Sequence, residues 1–562
     1  MNLRENKSIE VGKDMDDKLK NKDNFKYLNI LIVDDSKTSA ILIRQQIHSL
    51  GTPHDNIHIC SSYQEAVKCV SQCFYDILIV DYHLEQRING NELVSLLRQK
   101  KLLNYQTGII LISGDSSQET VLTVLSSKVQ HFIKKPIQTQ MLAVKIINVR
   151  DDQKGIAQAQ KLIANEQVDL FEKADELSSI IDISPSLIVI ESNILDTLEE
   201  QQKWALLSLM LQRSKTPMHM SKVSSIASDF LQQGRFYEAS QMLEDFLISN
   251  PLAHKALDKL AYIYNKLERP HDALRVAIRA FECTPSIHKR MLTAAKLSAK
   301  VHNTSTLISI GKSFAQNLSI MDVSWISGVI YYSDCVLEQL QKQLSSSERK
   351  QLLSCMIHFF KIVNKKVTVS QRPFLTCYKQ LFSAYIYLMK NRPDEAHQCL
   401  FKAISPHYDL FDKLPTALMV KMIHLADRFG EIWLSEYLLS LANTRDLIDK
   451  QTKNELMILT SEKYRTDKVR GLKQKLQVAK EANNTNNPKS YTYYQMLLDE
   501  YPLCIEAQLG LMKASILFNR EAQYQTEQLD KLMSYNYLPT NWRLWLEDIK
   551  RAGITLPLPD AI

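Results

Sequence analysis

Five short runs that predict strands recur in the first 150 residues of the chain, and three of them are β-branched or apolar runs that end in charged side chains. The five runs are residues 28–34, 57–60, 76–81, 108–113 and 130–134. Runs of this kind predict strands that are buried on both faces, as in a parallel sheet. Segments with apolar residues at helical spacing follow them, at residues 37–50, 63–72, 90–100, 117–126 and 138–148. The pattern predicts an α/β domain over residues 27–150, with a doubly wound, five-stranded parallel sheet.

The predicted strands end in side chains that suit a cation and a phosphoryl group. These side chains belong to Asp34, Asp35, Asp81, Ser113 and Lys135. Ligands of such sheets bind beyond the carboxyl ends of the strands, so the five residues are expected to share one crevice. Adjacent carboxylates repel each other unless a cation lies between them, and carboxylate oxygens are ligands that Mg²⁺ prefers. Taken alone, the Asp34-Asp35 pair is also typical of a solvated acidic turn.

The same positions carry a family resemblance. The motif consists of Asp34-Asp35, Asp81, Ser113-Gly114, Phe132 and Lys135-Pro136. In this order, and at strand ends, it resembles the receiver domain of two-component response regulators, which implies a flavodoxin-like fold. Two positions in the loop after the third strand depart from the family pattern. Gly90 lies nine residues after Asp81 where many receivers have eight, and Glu85 stands in place of a frequent proline.

The resemblance implies how a phosphoryl group would be handled. Asp81 would be the phosphoacceptor, attacking a donor that is a sensor histidine kinase or a phosphotransfer protein. Ser113 and Lys135 would bind the phosphoryl oxygens, and Phe132 would be the switch residue. The peptide bond before Pro136 would be cis, as in the family.

The resemblance also implies a Mg²⁺ cofactor. Asp35 and Asp81 would bind the metal directly, together with the backbone carbonyl of His83. Asp34 would act partly through water. Magnesium usually keeps several waters and is completed by substrate phosphate, which suits this role.

Residues 151–218 continue with helical patterns and no predicted strand, and we interpret them as a helical linker. Apolar residues recur there every seven positions, at Ile156, Ile163, Leu170 and Leu177. This spacing is typical of a coiled-coil seam, and also of an amphipathic helix that lies on its neighbour. The second interpretation is favoured because Gln167 interrupts the seam.

A 34-residue repeat follows the linker. Ala227, Phe230, Ala239 and Pro251 are matched one period later by Ala261, Tyr264, Ala273 and Pro285. The period, the small and aromatic positions and the helix-ending proline resemble the tetratricopeptide repeat, a pair of antiparallel helices. The resemblance implies an all-α solenoid over residues 219–562. Its clearest repeats are 220–253, 254–287 and 377–410, whereas helix pairs elsewhere, such as 288–320, fit less well.

Composition and charge exclude several classes of protein. Charged residues make up 23% of the chain and no apolar run approaches the roughly 18 residues of a membrane helix, so no membrane span is expected. The net charge is +7, but basic and acidic residues are interleaved, so no nucleic-acid partner is expected. Residues 1–26 are rich in charge and predict a disordered tail rather than a signal peptide, which indicates a cytoplasmic protein.

Enzyme signatures are absent from the sequence: HExxH, GxSxG and GxGxxG do not occur. The chain is therefore not expected to be an enzyme. Trp542 and Trp545, near the C-terminus, suit either a partner anchor or a cap on the last apolar face of the solenoid, and the cap is favoured.

These patterns lead to one hypothesis and two rivals. The hypothesis is a response regulator whose phosphorylation modulates the binding of a partner protein by the solenoid, around residues 223–231 and 257–264. The first rival is a constitutive scaffold, in which the receiver is a docking module. The second is a regulator whose helical half hides catalysis or DNA binding, which the missing motifs and the missing basic stripe disfavour.

Overall fold

The computed structural model describes most of the chain. The described residues are 23–84, 89–104, 106–114, 131–184, 186–285, 287–320, 322, 324–445, 449–461, 463–518, 522–552 and 558–561. They fall into two compact units, one before Ser324 and one from Ser324 onward.

A five-stranded parallel sheet forms the centre of the N-terminal domain, as predicted. Its strands are Ile30–Val33 (β1), Ile57–Cys60 (β2), Ile77–Asp81 (β3), Gly108–Ser113 (β4) and His131–Lys134 (β5). Their order in the sheet is β2-β1-β3-β4-β5, and every pairing is parallel. All residues of β1, β3 and β4 are buried, which explains their uninterrupted apolar sequence.

Helices cover both faces of the sheet. The first three are Lys37–Leu50 (α1), Tyr63–Gln72 (α2) and Gly90–Gln99 (α3). Each begins after a residue whose side chain accepts a backbone hydrogen bond of the first turn; these residues are Ser36, Ser62 and Asn89. The helix predicted at 117–126 lies outside the described residues. Apolar side chains fill a separate core on each face of the sheet.

The ordered domain begins before residue 27. Asp23–Lys26 form a single helical turn, and the side chain of Phe25 is fully buried against the sheet. The predicted tail of residues 1–26 therefore does not include these four residues, because an aromatic side chain among the charges is buried in the core. Residues 1–22 lie outside the described part of the chain.

One helix joins the sheet domain to the helical region. It spans Thr139–Ala164 (α4), although the sequence predicts an end at residue 148. Its first half packs into the sheet core through Leu142, Ile146 and Val149. Its second half packs into a helical core, and no proline interrupts the helix between the two. The range interpreted as a linker thus begins inside a helix of the receiver-like domain.

The remaining helices of residues 151–218 stack on the second half of α4. They are Leu170–Ile183 (α5), Leu187–Glu200 (α6) and Trp204–Arg213 (α7). Asn165 ends α4, so the seven-residue seam is not one continuous helix. Ile156, Ile163 and Leu177 are buried in a single core with α6 and α7. The amphipathic interpretation is therefore the correct one for this segment.

Three helix pairs follow with the same 34-residue register. Their first helices are Met220–Gln232 (α8), His254–Lys266 (α10) and His288–Lys300 (α12), and their second helices are Phe236–Ser249 (α9), Pro270–Cys283 (α11) and Thr304–Asn317 (α13). The third pair keeps the register although the sequence fits less well. Ser298 stands at the aromatic position, Leu307 at a small one and Ser319 at the proline. Helix lengths therefore repeat where the signature residues do not.

The corner between the two helices of each pair is also repeated. Its residue with positive φ is Gly234, Glu268 or His302, at the same position of each period. The next backbone N–H donates to the carbonyl oxygen five residues earlier, at 2.9 Å in all three corners. In two corners that next residue is an arginine whose guanidinium lies over an aromatic ring, Arg235 over Phe230 and Arg269 over Tyr264.

The second unit consists of helices throughout its described residues. They are Trp325–Leu340 (α14), Ser346–Lys366 (α15), Arg372–Met389 (α16), Pro393–Ile404 (α17), Thr416–Phe429 (α18), Ile432–Asn443 (α19), Lys450–Ser461 (α20), Lys463–Asn484 (α21), Lys489–Glu500 (α22), Ile505–Leu517 (α23), Ala522–Met533 (α24) and Thr540–Ala552 (α25). The corner between α16 and α17 repeats the arrangement above, with Asn391 at positive φ and Arg392 over Tyr387. Trp542 and Trp545 are buried in the core of this unit, as the cap interpretation expects. Among the described helices, none is long and apolar enough to cross a membrane.

Candidate functional site

Three carboxylates meet at the carboxyl edge of the sheet. Asp34 and Asp35 follow β1 directly, and Asp81 is the last residue of β3. The two strands pair in parallel, with Val33 opposite Val80, so their ends coincide. One oxygen of each carboxylate lies within 4.8 Å of the others. Asp34 and Asp81 are buried, whereas Asp35 is exposed at the mouth of the site.

The Asp34 carboxylate is held by the start of α1. Its Oδ1 accepts from the backbone N–H of Ser36 at 2.9 Å, and its Oδ2 accepts from Ser39 Oγ at 2.7 Å. Both are charge-assisted hydrogen bonds that fix the orientation of the side chain. Sequence reasoning did not single out Ser39, which lies five residues after Asp34 on the first turn of α1.

Lys135 connects two of the carboxylates. Its Nζ lies 3.0 Å from Asp34 Oδ2 and 2.8 Å from Asp81 Oδ1. Burial by itself lowers the pKa of Lys135, but the hydrogen bonds to Asp81 and Asp34 outweigh it, so the pKa lies above its ordinary value. The peptide bond to Pro136 is cis, as the resemblance implies. The ammonium group is therefore charged and aimed into the cluster.

The surroundings of Asp81 disfavour the charged form of its carboxyl group. Burial raises the pKa of its carboxyl, Lys135 only partly offsets this, and the charges of Asp34 and Asp35 raise it further. Among the described residues, these three carboxylates face one ammonium group, that of Lys135, so negative charge is in excess in this part of the site. A divalent cation would balance that excess, and the oxygen donors fit Mg²⁺, which prefers hard oxygen ligands.

The other predicted residues surround this cluster. Ser113 is the last residue of β4, next to Ile112, which pairs with Asp81 across the sheet, and its carbonyl accepts from the N–H of Lys135 at 2.8 Å. Phe132 lies on β5, is half-buried and packs against the core on the α2 and α3 face. The side chain of His83 is exposed, two residues after Asp81. The five side chains predicted to share a crevice thus come from adjacent strands and the segments that follow them.

Gly90 contacts the backbone of Asp81 and Tyr82 at the end of β3. Its N–H donates to Tyr82 O at 2.8 Å, and a Cβ built on Gly90 would lie only 2.2 Å from the carbonyl oxygen of Asp81. No side chain fits at that distance, so the start of α3 supports the backbone of Asp81 directly. The sequence showed Gly90 as a variation in loop spacing, and this close approach is the reason for glycine there.

We expect Gly90→Ala to displace the backbone at Asp81. The methyl group meets main-chain atoms rather than a flexible side chain, so we expect a loss of about 1–3 kcal/mol in the free energy of unfolding. Urea denaturation of the full chain measures it. Gly114→Ala is the matched control, since a Cβ there has no atom of the described residues within 4 Å. Equal midpoints for Gly90→Ala and the native chain would contradict the close approach.

Comparison with known proteins agrees with this geometry. Residues 30–147 match the family model of the response regulator receiver domain. These residues are a receiver domain. The receiver is similar to a chemotaxis protein CheY homolog of Campylobacter jejuni, with 29% identity over 123 residues that make up 22% of this chain and 92% of the relative. It is also similar to the chemotaxis protein CheY1 of Helicobacter pylori, with 27% identity over 119 residues, 21% of this chain and 94% of the relative.

A solved structure is similar at a lower level. It is a response regulator protein from Burkholderia pseudomallei with a phosphorylated aspartic acid, a calcium ion and citrate, and it is 15% identical. The match covers 34% of this chain and 99% of that chain, with a TM-score of 0.20.

Proposed function

We propose that the chain is a two-component response regulator whose phosphorylation at Asp81 changes protein binding by its helical region. The donor would be a sensor histidine kinase or a phosphotransfer protein. The observation that carries the proposal is the cluster of Asp34, Asp35 and Asp81 with Lys135 between two of them. Beyond accepting the phosphoryl group, the chain is proposed to have no enzymatic role, and its place is the cytoplasm.

The chemistry follows from the position of Asp81. One carboxylate oxygen attacks the phosphorus in line with the leaving nitrogen of a donor phosphohistidine, so a P–O bond forms as the P–N bond breaks. Lys135 exchanges its contact with the carboxylate for one with a phosphoryl oxygen, and it neutralises charge there. Ser113, at the end of the adjacent strand, would donate a hydrogen bond to another phosphoryl oxygen.

The carboxylates are proposed to hold Mg²⁺, which supplies charge balance for a phosphoryl group approaching three negative side chains. Asp35 and Asp81 would be direct ligands together with the backbone carbonyl of His83. Asp34 would act partly through water, which agrees with the three hydrogen-bond donors that already contact its oxygens.

Replacement of Asp35 should separate metal binding from folding. Asp35 is the exposed carboxylate of the cluster, so we expect Asp35→Ala to weaken Mg²⁺ binding by well over about tenfold, with little change in stability. Titration of Mg²⁺ followed by isothermal calorimetry measures this. Asp55→Ala, at an exposed aspartate between α1 and β2, is the control. An unchanged titration in Asp35→Ala would mean that the ion binds elsewhere.

The helical region is proposed to be a solenoid of tetratricopeptide type. Support comes from the three helix pairs in 34-residue register and from the repeated corners at Gly234, Glu268 and His302. The first helix α8 packs against the next first helix, α10, and against α6 before it. Stacked pairs of this kind present an extended surface to a partner protein.

A buried polar contact could carry a structural change from the receiver to the helices that follow it. Asp152 on α4 is fully buried, with its Oδ2 3.2 Å from His131 Nε2 on β5. Its Oδ1 accepts from Ser184 Oγ, just after α5, at 3.2 Å. His131 is adjacent to Phe132, the proposed switch residue. A shift of β5 on phosphorylation would therefore reach α4 and the helices that pack on it.

The experiment is a calorimetric titration of a protein recovered with this chain by affinity capture. Native chain with Mg²⁺ is compared with and without beryllofluoride, a phosphoryl mimic. Coupling energies of such switches correspond to roughly a five- to hundredfold change in affinity, and we expect a change in this range. Asp81→Asn, which removes the nucleophile, is expected to show no change in partner affinity on addition of beryllofluoride. If native chain binds the partner equally tightly with and without beryllofluoride, the result favours the constitutive scaffold, in which the receiver is only a docking module.

A further inference from the structure

Two cysteine thiols meet beside the receiver sheet. Cys60 is the last residue of β2 and is buried, whereas Cys69 lies on α2 and is half-buried. Their sulfur atoms are 3.3 Å apart, and both side chains pack in the core on the α2 and α3 face of the sheet. Only Ser61 and Ser62 separate the end of β2 from the start of α2, so the helix turns back over the strand and brings the thiols together.

The two thiols differ in their access to solvent. Burial, together with the contact to Cys69, raises the pKa of the Cys60 thiol, so this thiol stays protonated at rest. Cys69 is partly exposed, and the exposed Cys73 follows one helical turn later, with its N–H donating to Cys69 O at 2.9 Å. A dissolved oxidant therefore reaches Cys69 first, and Cys60 is in position to react with it next.

The backbone of Cys60 also belongs to the surroundings of the carboxylate cluster. Cys60 lies opposite Val33 in the pairing of β1 with β2. Its carbonyl oxygen accepts a hydrogen bond from the backbone N–H of Asp34 at 3.2 Å. The side chain of Asp34 in turn contacts Lys135 Nζ. A movement of Cys60 therefore reaches the cluster through one backbone hydrogen bond.

We propose that Cys60 and Cys69 close reversibly to a disulfide that slows phosphorylation at Asp81. The bond itself is independent of the proposed function, whereas its effect on phosphorylation rests on that function. Bond formation brings the sulfurs closer than their 3.3 Å contact and so draws α2 and the end of β2 together. The backbone that holds Asp34 shifts with β2, and small displacements of reacting groups slow a reaction strongly. Disulfides of cytoplasmic proteins are usually transient and redox-sensing, which agrees with a reversible bond.

The oxidant is a small organic disulfide, of which oxidised glutathione is an example. The Cys69 thiolate attacks one of its sulfurs, so a mixed disulfide forms and one small thiolate leaves and takes up the proton that Cys69 lost. Cys60 then loses its proton and attacks the Cys69 sulfur, so the internal disulfide forms and the second small thiol leaves. Two protein thiols are oxidised, and one small disulfide is reduced to two thiols. An excess of a small thiol reverses both steps.

Differential alkylation of the full chain tests the bond. After incubation with oxidised glutathione, free thiols are blocked in denaturant with one reagent, and thiols released by reduction are labelled with a second. We expect the second label at Cys60 and Cys69, and a cross-linked pair of peptides before reduction. Cys73→Ala should form the same disulfide. A disulfide between Cys69 and Cys73, or a mixed disulfide that persists at Cys69, would overturn the assignment.

Phosphoryl uptake from a small phosphodonor with Mg²⁺ tests the effect of the bond. We expect oxidised native chain to be phosphorylated at least about threefold more slowly than reduced native chain. Cys69→Ala, treated with oxidised glutathione in the same way, should be phosphorylated at the rate of its reduced form. This variant is preferred to a replacement of Cys60 because the Cys69 side chain is only half-buried. Cys283→Ala removes a half-buried thiol of the helical region and should behave like native chain in both states.

The disulfide and the phosphorylation fail separately. If reduced native chain gains no phosphoryl group although the disulfide forms, the proposed function is wrong and the bond stands without a link to phosphorylation. If reduced chain is phosphorylated but no disulfide forms, the redox proposal is overturned and the proposed function stands. A disulfide that forms without slowing phosphoryl uptake would likewise overturn the link between Cys60 and the cluster.

Discussion

Asp81→Asn should accept no phosphoryl group. Incubation of native chain with a small phosphodonor and Mg²⁺ is expected to add one acid-labile phosphoryl group, whereas the variant should gain none. The asparagine side chain would keep the shape of the aspartate but lack the anionic oxygen that attacks phosphorus. Asp81 is also the carboxylate that combines the end of β3 with a contact to Lys135 Nζ at 2.8 Å. Intact-mass measurement at neutral and acid pH gives the result directly.

The control for this prediction is Asp55→Asn, an exposed aspartate outside the cluster, which should be phosphorylated like native chain. Both variants should retain the native free energy of unfolding within about 1 kcal/mol, because Asn is nearly isosteric with Asp. Phosphorylation that persists in Asp81→Asn would refute the assignment. Peptide mapping of that product would then show whether Asp34 or Asp35 is the acceptor.

Much of the receiver was predictable because local and long-range signals agree there. β-branched runs such as Ile30–Val33 give strands that are buried on both faces, and parallel strands bring their carboxyl ends to one edge. The meeting of Asp34 and Asp81 follows from these two rules alone. The orientation of Asp34 does not, since it depends on Ser39 Oγ and on Lys135, which lies far away along the chain.

Features that depend on backbone approach or on helix continuity were not predictable in the same way. Nothing in the sequence around Gly90 indicates that a Cβ at this position would lie 2.2 Å from a carbonyl oxygen. The prediction placed the end of α4 at residue 148 because the apolar spacing of that segment runs as far as this residue. In the structure the helix continues to Ala164, and its two halves pack in two successive cores. The third helix pair kept its register without the aromatic and proline signature, because packing on α11 specifies the helix α12 more than single residues do.

The contact through Asp152 could not be predicted either, and it leads to the second large effect. His131, Asp152 and Ser184 are far apart in sequence, and nothing in the pattern of any one of them indicates a partner. In the structure the carboxylate is fully buried between the end of the receiver sheet and the segment after α5. Its Oδ1 accepts a hydrogen bond from Ser184, whereas its Oδ2 lies 3.2 Å from His131 Nε2 without a hydrogen bond between them, so the carboxylate is tied to the segment after α5 and lies close to β5.

Asp152→Ala should uncouple the helical region from the receiver while Asp81 still binds beryllofluoride. The variant removes the acceptor of the Ser184 hydroxyl and the buried carboxylate oxygen 3.2 Å from His131 Nε2, so we expect a loss of about 1–3 kcal/mol in the free energy of unfolding. Hydrogen exchange of the full chain, with and without beryllofluoride, measures the coupling. In native chain we expect the phosphoryl mimic to change protection in α4 and in the helices that pack on it. In Asp152→Ala the change should remain in the receiver and disappear beyond residue 164.

Two further variants separate loss of coupling from loss of stability. Asp152→Asn keeps an acceptor for Ser184 and fills the same space. If the charge facing His131 matters, this variant should recover more of the free energy of unfolding than of the beryllofluoride response beyond residue 164. Asp182→Ala removes an exposed carboxylate of the same helical segment. It should change neither the free energy of unfolding nor the beryllofluoride response of the helical region. A beryllofluoride response in the repeats of Asp152→Ala that equals the native response would show that the signal leaves the receiver by another surface. In that case the continuous helix α4 alone, through its packing in both cores, would be sufficient to carry it.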